Sequence, residues 1–222
     1  MQKVRRKLIL GALPLALVTP VAFAQFGGLM GGRAGGGGGN VDADINNFMA
    51  NSFNVEKTAS RAYLAIAGAF ASEEERAKLQ SLLSDVNSLT NPQESGAKLQ
   101  QVIETTEAAI KRASEEKNLD DQVKSMSAEK QKRLAAGVGN LLLAAFQGSD
   151  LMTTGQRIIS GVGSNPMALT KLPPLREALT RLGKAASTAG SAMPKLVNAL
   201  KGANVSVAPA SSSSKEEKIE SV

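Results

Sequence analysis

The 222-residue chain has no cysteine, no histidine and no tryptophan, and it has one tyrosine. Each absence removes a class of chemistry. Without His or Cys, the Ser-His and Cys-His nucleophile pairs cannot form. Zinc, copper and haem sites lose their usual ligands. Without Cys there is no disulfide framework, and no thiol to carry a lipid at a processed N-terminus. Aromatic residues make up 3% of the chain, too few to line a sugar-stacking cleft.

Carboxylate, Lys, Ser and Tyr chemistry remains, and no spacing specifies any of it. Ser-x-x-Lys occurs at Ser95–Lys98 and at Ser127–Lys130. The Ser-Asp-Asn and Lys-Thr-Gly partners of a penicillin-recognising enzyme are missing, so both pairs read as ordinary helix starts. The acidic clusters Glu73-Glu74-Glu75, Glu115-Glu116 and Asp120-Asp121 lack the alternating oxygens and central Gly of a calcium loop. A carboxylate-only glycosidase is the weakest of the three function classes weighed. No catalytic, cofactor-binding or metal-ligating residue is assigned, and the expectation is a non-enzyme.

The sharpest positive feature is residues 1–24. Lys3, Arg5, Arg6 and Lys7 precede an apolar run over 8–21, and Ala22-Phe23-Ala24 is a small-x-small cleavage site before Gln25. That is the layout of a secretory signal peptide cut between Ala24 and Gln25, which predicts a periplasmic or secreted protein. Arg5-Arg6 also fits a twin-arginine signal. With no cofactor site downstream, the general secretory route is favoured.

Processing changes the charge argument. The chain holds 26 basic and 20 acidic residues. Four of the basic ones fall within 1–24, which leaves 22 against 20. The sequence pI of about 9.6 is therefore largely a property of the signal, and it gives no support to nucleic-acid binding.

Residues 25–40 are Gly-rich, with nine Gly among positions 27–39, and read as a flexible linker. Residues 41–202 show helical periodicity throughout, predicting an all-α bundle of five or six amphipathic helices. Ile45, Phe48, Met49, Ala59, Ala62, Tyr63, Ile66 and Phe70 mark a central first helix. Ser72 with Glu75 forms a capping box that opens the second, and Asn91-Pro92 starts the third. Residues 119–126 read as a loop or a short irregular turn, Ser127 as the next cap, Gln147-Gly148-Ser149-Asp150 as a break, and Pro194 as a kink or split in the last helix. A second Asn-Pro at 165–166 hints at two similar halves, each a helix pair. Residues 203–222 are rich in Ser, Lys and Glu and read as a disordered tail.

The apolar stretch 134–163 carries Gly137, Gly139, Gly148, Gly155, Gly161 and Gly163. Each costs about 0.5–1 kcal/mol against Ala inside a helix, so a compensating reason is expected. Close helix packing is favoured. A membrane-interacting hairpin is the alternative, opposed by the polar interruptions Asn140, Asp150 and Arg157. The expectation is thus an exported helical protein that binds a protein partner or an envelope surface, with lipid interaction through 134–163 as the alternative.

Overall fold

The computed structural model describes residues 41–162, 168–211 and 214–222. The signal peptide and the Gly-rich linker lie outside the described residues, as do Gly163 and Asn165-Pro166.

The fold is all-α: helix is the regular secondary structure of the described residues, with no strand among them. The helices are α1 (Val41–Phe70), α2 (Glu73–Ser88), α3 (Pro92–Glu115), α4 (Leu119–Ser125), α5 (Ala128–Val162) and α6 (Leu172–Gly202), with a 3-10 turn at Ala168–Lys171 before α6. Local signals set several of these ends. The Glu75 backbone N–H donates to Ser72 Oγ, and the Ser72 backbone N–H donates to Glu75 Oε2 at 2.9 Å, completing the predicted box. The carbonyls that close α2 are met by Lys57 of α1, whose Nζ donates to the Asn87 and Leu89 oxygens at 3.0 and 2.7 Å. A cation there also complements the negative end of the helix dipole.

Helix α1 is the central element and packs against α2, α3, α5 and α6. From Thr58 to Ala69 every residue except Arg61 is buried, because other helices cover it on both sides. One apolar cluster joins α1 to α5, α6 and α4 through Phe48, Tyr63, Ile66, Leu134, Leu141 and Leu196. A second joins it to α2 and α3 through Leu64, Leu83, Val86 and Leu99.

Four local expectations are corrected. Residues 119–126 are not a loop. Leu119–Ser125 is a helix, because Leu119 and Val123 are one turn apart and both bury against the bundle. The break at 147–150 does not occur, and α5 runs unbroken from Ala128 to Val162. Gly148 is buried there with Val55 and Leu182 alongside, and that packing outweighs its weak helix propensity. Pro194 does not split α6. Buried Ala192, Met193, Leu196, Ala199 and Leu200 hold the helix to the core on both sides of it. Three helices, α3 to α5, lie between the two Asn-Pro steps, so the pair-of-helices order is not repeated.

The fifth correction concerns the tail. Residues 203–211 and 214–222 have no helix beyond the turn after Gly202, yet they are seated on the bundle. Asn204 takes a left-handed conformation, φ 59°, and turns the chain away from α6. Ala203, Val205 and Val207 then face the protein at alternate positions, and Glu216, Ile219 and Val222 face it at every third. The disorder expectation rested on average composition. Burying Ile219 and Val222 contributes about 1.5–3 kcal/mol each, and polar clamps add to this.

Candidate functional site

The tail lies in a groove between α1 and α5. Asn140 of α5 is 2% exposed, unusually low for an amide side chain. Its Nδ2 donates to the Glu217 carbonyl at 2.7 Å, and its Oδ1 accepts from the Glu217 N–H at 2.8 Å. A primary amide paired with one residue's N–H and C=O imitates a neighbouring strand. It holds an extended backbone whatever that residue's side chain.

Side chains fix the register on either side of this clamp. Arg61 Nη1 donates to both oxygens of Glu216, at 3.0 and 3.1 Å, and Thr58 Oγ1 donates to Oε2 at 2.9 Å. Lys57 adds a positive field at the same carboxylate. Burial and the nearby Arg61 push the Lys57 pKa down, while Glu216 opposes that shift. Six residues further on, the Val222 N–H donates to Gln80 Oε1 at 3.0 Å, and Arg133 Nη1 donates to the Val222 oxygen at 2.9 Å. Ile219 and Val222 complete the cluster with Leu64, Leu83, Val86 and Leu99.

Gly68 makes the last contact geometrically available. A Cβ there would lie 2.8 Å from Val222 Cβ and 3.0 Å from its backbone carbon. Its missing side chain is the space into which the tail backbone settles. Contacts advance from Thr58 to Gly68 along α1 and from Asn140 back to Arg133 along α5. The tail therefore runs with α1 and against α5.

No family model, curated protein or solved structure matches this chain. The reading of the groove rests on its own geometry.

A second polar feature sits inside the bundle. Glu56 of α1 is 2% exposed, and Arg181 Nε of α6 donates to its Oε2 at 3.0 Å. Gly96 of α3 lets the guanidinium lie flat, since a Cβ there would fall 2.6 Å from its central carbon. Glu56 Oε1 and Ser52 Oγ, one turn apart, have no protein partner. Burial pushes the Glu56 pKa up to about 7 against the opposing pull of Arg181. A buried carboxylate held by one guanidinium in this way has the makings of a stability switch.

The features weighed in the sequence fall elsewhere. Ser127 caps α5, with its Oγ accepting from the Lys130 N–H. Ser95 is buried in the first turn of α3 while Lys98 is exposed, so neither Ser-Lys pair forms a site. In α5, a Cβ on Gly137 would meet Ile66 at 2.9 Å and the Ala62 oxygen at 3.1 Å. One on Gly155 would meet Leu179 at 2.7 Å and Phe48 at 2.8 Å. These two glycines serve close packing on α1 and α6. Gly139 does not, because its nearest neighbours are Val207 and the Ala208 oxygen of the tail, at 3.8 and 3.9 Å. No helix among the described residues is long and apolar enough to cross a membrane.

Sequence reasoning noticed Asn140 only as an interruption of an apolar run, and it missed Thr58, Arg61, Gly68 and Glu216. The available signal was their polarity, or lack of a side chain, within a segment that is otherwise apolar. The buried spacing of Ile219 and Val222 was the matching signal in the tail.

Proposed function

We propose that this is an exported, non-catalytic helical protein that works by binding a protein partner in the cell envelope. Export rests on the signal-peptide layout of residues 1–24. The binding reading rests on one observation: the side chain of Asn140 grips the backbone of Glu217 through both available hydrogen bonds. A helical surface that holds an extended segment by its backbone is suited to recognising another chain. The tight packing of Gly137 and Gly155 supports the same reading over the lipid alternative, because it accounts for glycines that a membrane hairpin would otherwise explain.

The test is photo-crosslinking in intact cells. A crosslinking residue replaces Lys132 beside the groove or Lys111 on α3, both exposed. A discrete protein adduct in the envelope fraction is the expected result. Adducts to lipid alone would favour the membrane reading, and retention of the unprocessed chain in the cytoplasm would reject export.

A further inference from the structure

We propose that the groove between α1 and α5 is a receptor for an extended acidic–aliphatic peptide from a partner protein, and that residues 214–222 fill it in cis as a displaceable strap. The proposal deepens the partner-binding reading and rests on it.

The strap displays the ligand chemistry. Its backbone is clamped at Glu217, its first contact side chain is a carboxylate, and aliphatic groups follow at the third and sixth positions beyond it: Glu216, Ile219, Val222. The receptor side is complementary. Arg61 and Thr58 meet the carboxylate, Asn140 and Gln80 meet backbone groups, and Gly68 leaves room at the last position. Only three side chains are read, so the pattern Glu-x-x-Ile-x-x-Val suffices to define a ligand.

The strap is an imperfect occupant. The Lys215, Glu217, Lys218 and Glu220 side chains point to solvent. A cleft beside Glu217, lined by Gln131, Lys132, Ala135 and Ser206, stays unfilled. A partner segment that places an acidic or bulky side chain in that cleft, against Lys132, gains contacts the strap lacks. The strap of a second copy gains none, and it also forgoes the tether, so exchange between copies is disfavoured relative to a partner.

The tether sets the size of the effect. Belonging to the same chain holds the strap at about millimolar effective concentration. Against a peptide of about 10–100 μM affinity, closure lowers apparent binding roughly 10- to 100-fold.

The experiment is fluorescence anisotropy with a labelled synthetic peptide of residues 214–222, titrated with the full processed chain. The wild type is compared with Glu216→Lys, which sets like charges against Arg61 and Lys57, and with the double variant Ile219→Asp/Val222→Asp. Both release the strap and leave the groove intact, and Glu216→Lys adds no charge to the core. Released variants should bind at least about tenfold more tightly than wild type. Adding Asn140→Ala should cancel that gain. A released variant that keeps the wild-type helical circular dichroism and a single cooperative melt but does not bind the peptide would overturn the proposal. A wild-type dimer on light scattering that Glu216→Lys dissolves would also overturn it, by making the second copy the occupant. A failed titration alongside a retained envelope adduct removes the strap proposal and leaves the partner-binding reading standing. Peptide binding without any adduct does the reverse.

Discussion

Arg181 reaches from α6 to Glu56 on α1, Nε to Oε2 at 3.0 Å, and the carboxylate it holds is almost wholly out of water. The same guanidinium also pairs with exposed Glu177 at 3.1 Å, so its charge is shared. Glu56 therefore receives less than a full counter-charge against its burial.

Stability should fall as pH rises through this pair. The Glu56 pKa is raised from 4.5 in the unfolded chain to about 7 in the folded one. Below pH 4.5 both states are protonated and the full contribution is present. Between 4.5 and 7 the unfolded chain gives up the proton while the folded chain keeps it, so folding weakens. Above about 7 the loss is complete, on the order of 3 kcal/mol. Urea midpoints measured from pH 4 to 8 should decline in the wild type. In Glu56→Gln the decline should shrink by that amount, and an unchanged slope would show that Glu56 does not carry it.

The central helix should be sensitive to truncation. Phe48 and Ile66 are fully buried, so Phe48→Ala or Ile66→Ala should cost roughly 2–5 kcal/mol. Lys111→Ala, on the exposed face of α3, should change stability by less than about 0.5 kcal/mol. Denaturant unfolding of the three variants checks the order. Similar small effects at all three would mean that α1 is not the core helix.

The glycines of α5 should divide into two kinds. Gly137→Ala drives a Cβ against the Ala62 oxygen and Ile66, and should destabilise by about 1–3 kcal/mol despite the gain in helix propensity. Gly161 has nothing within 4 Å of an added Cβ, so Gly161→Ala should stabilise by about 0.5–1 kcal/mol. Gly139→Leu should not overpack a helix contact. It should press on the start of the tail at Val207 and Ala208 and raise the rate of trypsin cleavage at Lys215. Thermal melts and a digestion time course distinguish the three.

Export should leave a chain that begins at Gln25, because Ala22 and Ala24 supply the small residues that signal peptidase needs. Intact mass of the exported protein measures this. A mature form that retains Arg5 would reject the signal reading and remove the basis for an envelope location.

The sequence by itself determined what depends on near neighbours along the chain. The α2 start is written in Ser72 and Glu75, the α3 start in Asn91-Pro92, and the centrality of α1 in its periodic large apolar residues. Capping and helical periodicity act over three or four residues, so they can be read locally. What the tertiary structure alone decided depends on partners far away in the chain. Gly148 and Pro194 stay within continuous helices because the packing around them outweighs a local penalty that is legible and misleading. Glu56 is ordinary until Arg181, 125 residues on, meets it in the interior. Residues 214–222 have the composition of a disordered tail, and order comes from Asn140, Arg61 and Gly68, which lie on two different helices. A weak segment is seated by the sum of such long-range contacts, and no local pattern in Ser214 to Val222 records that the groove exists.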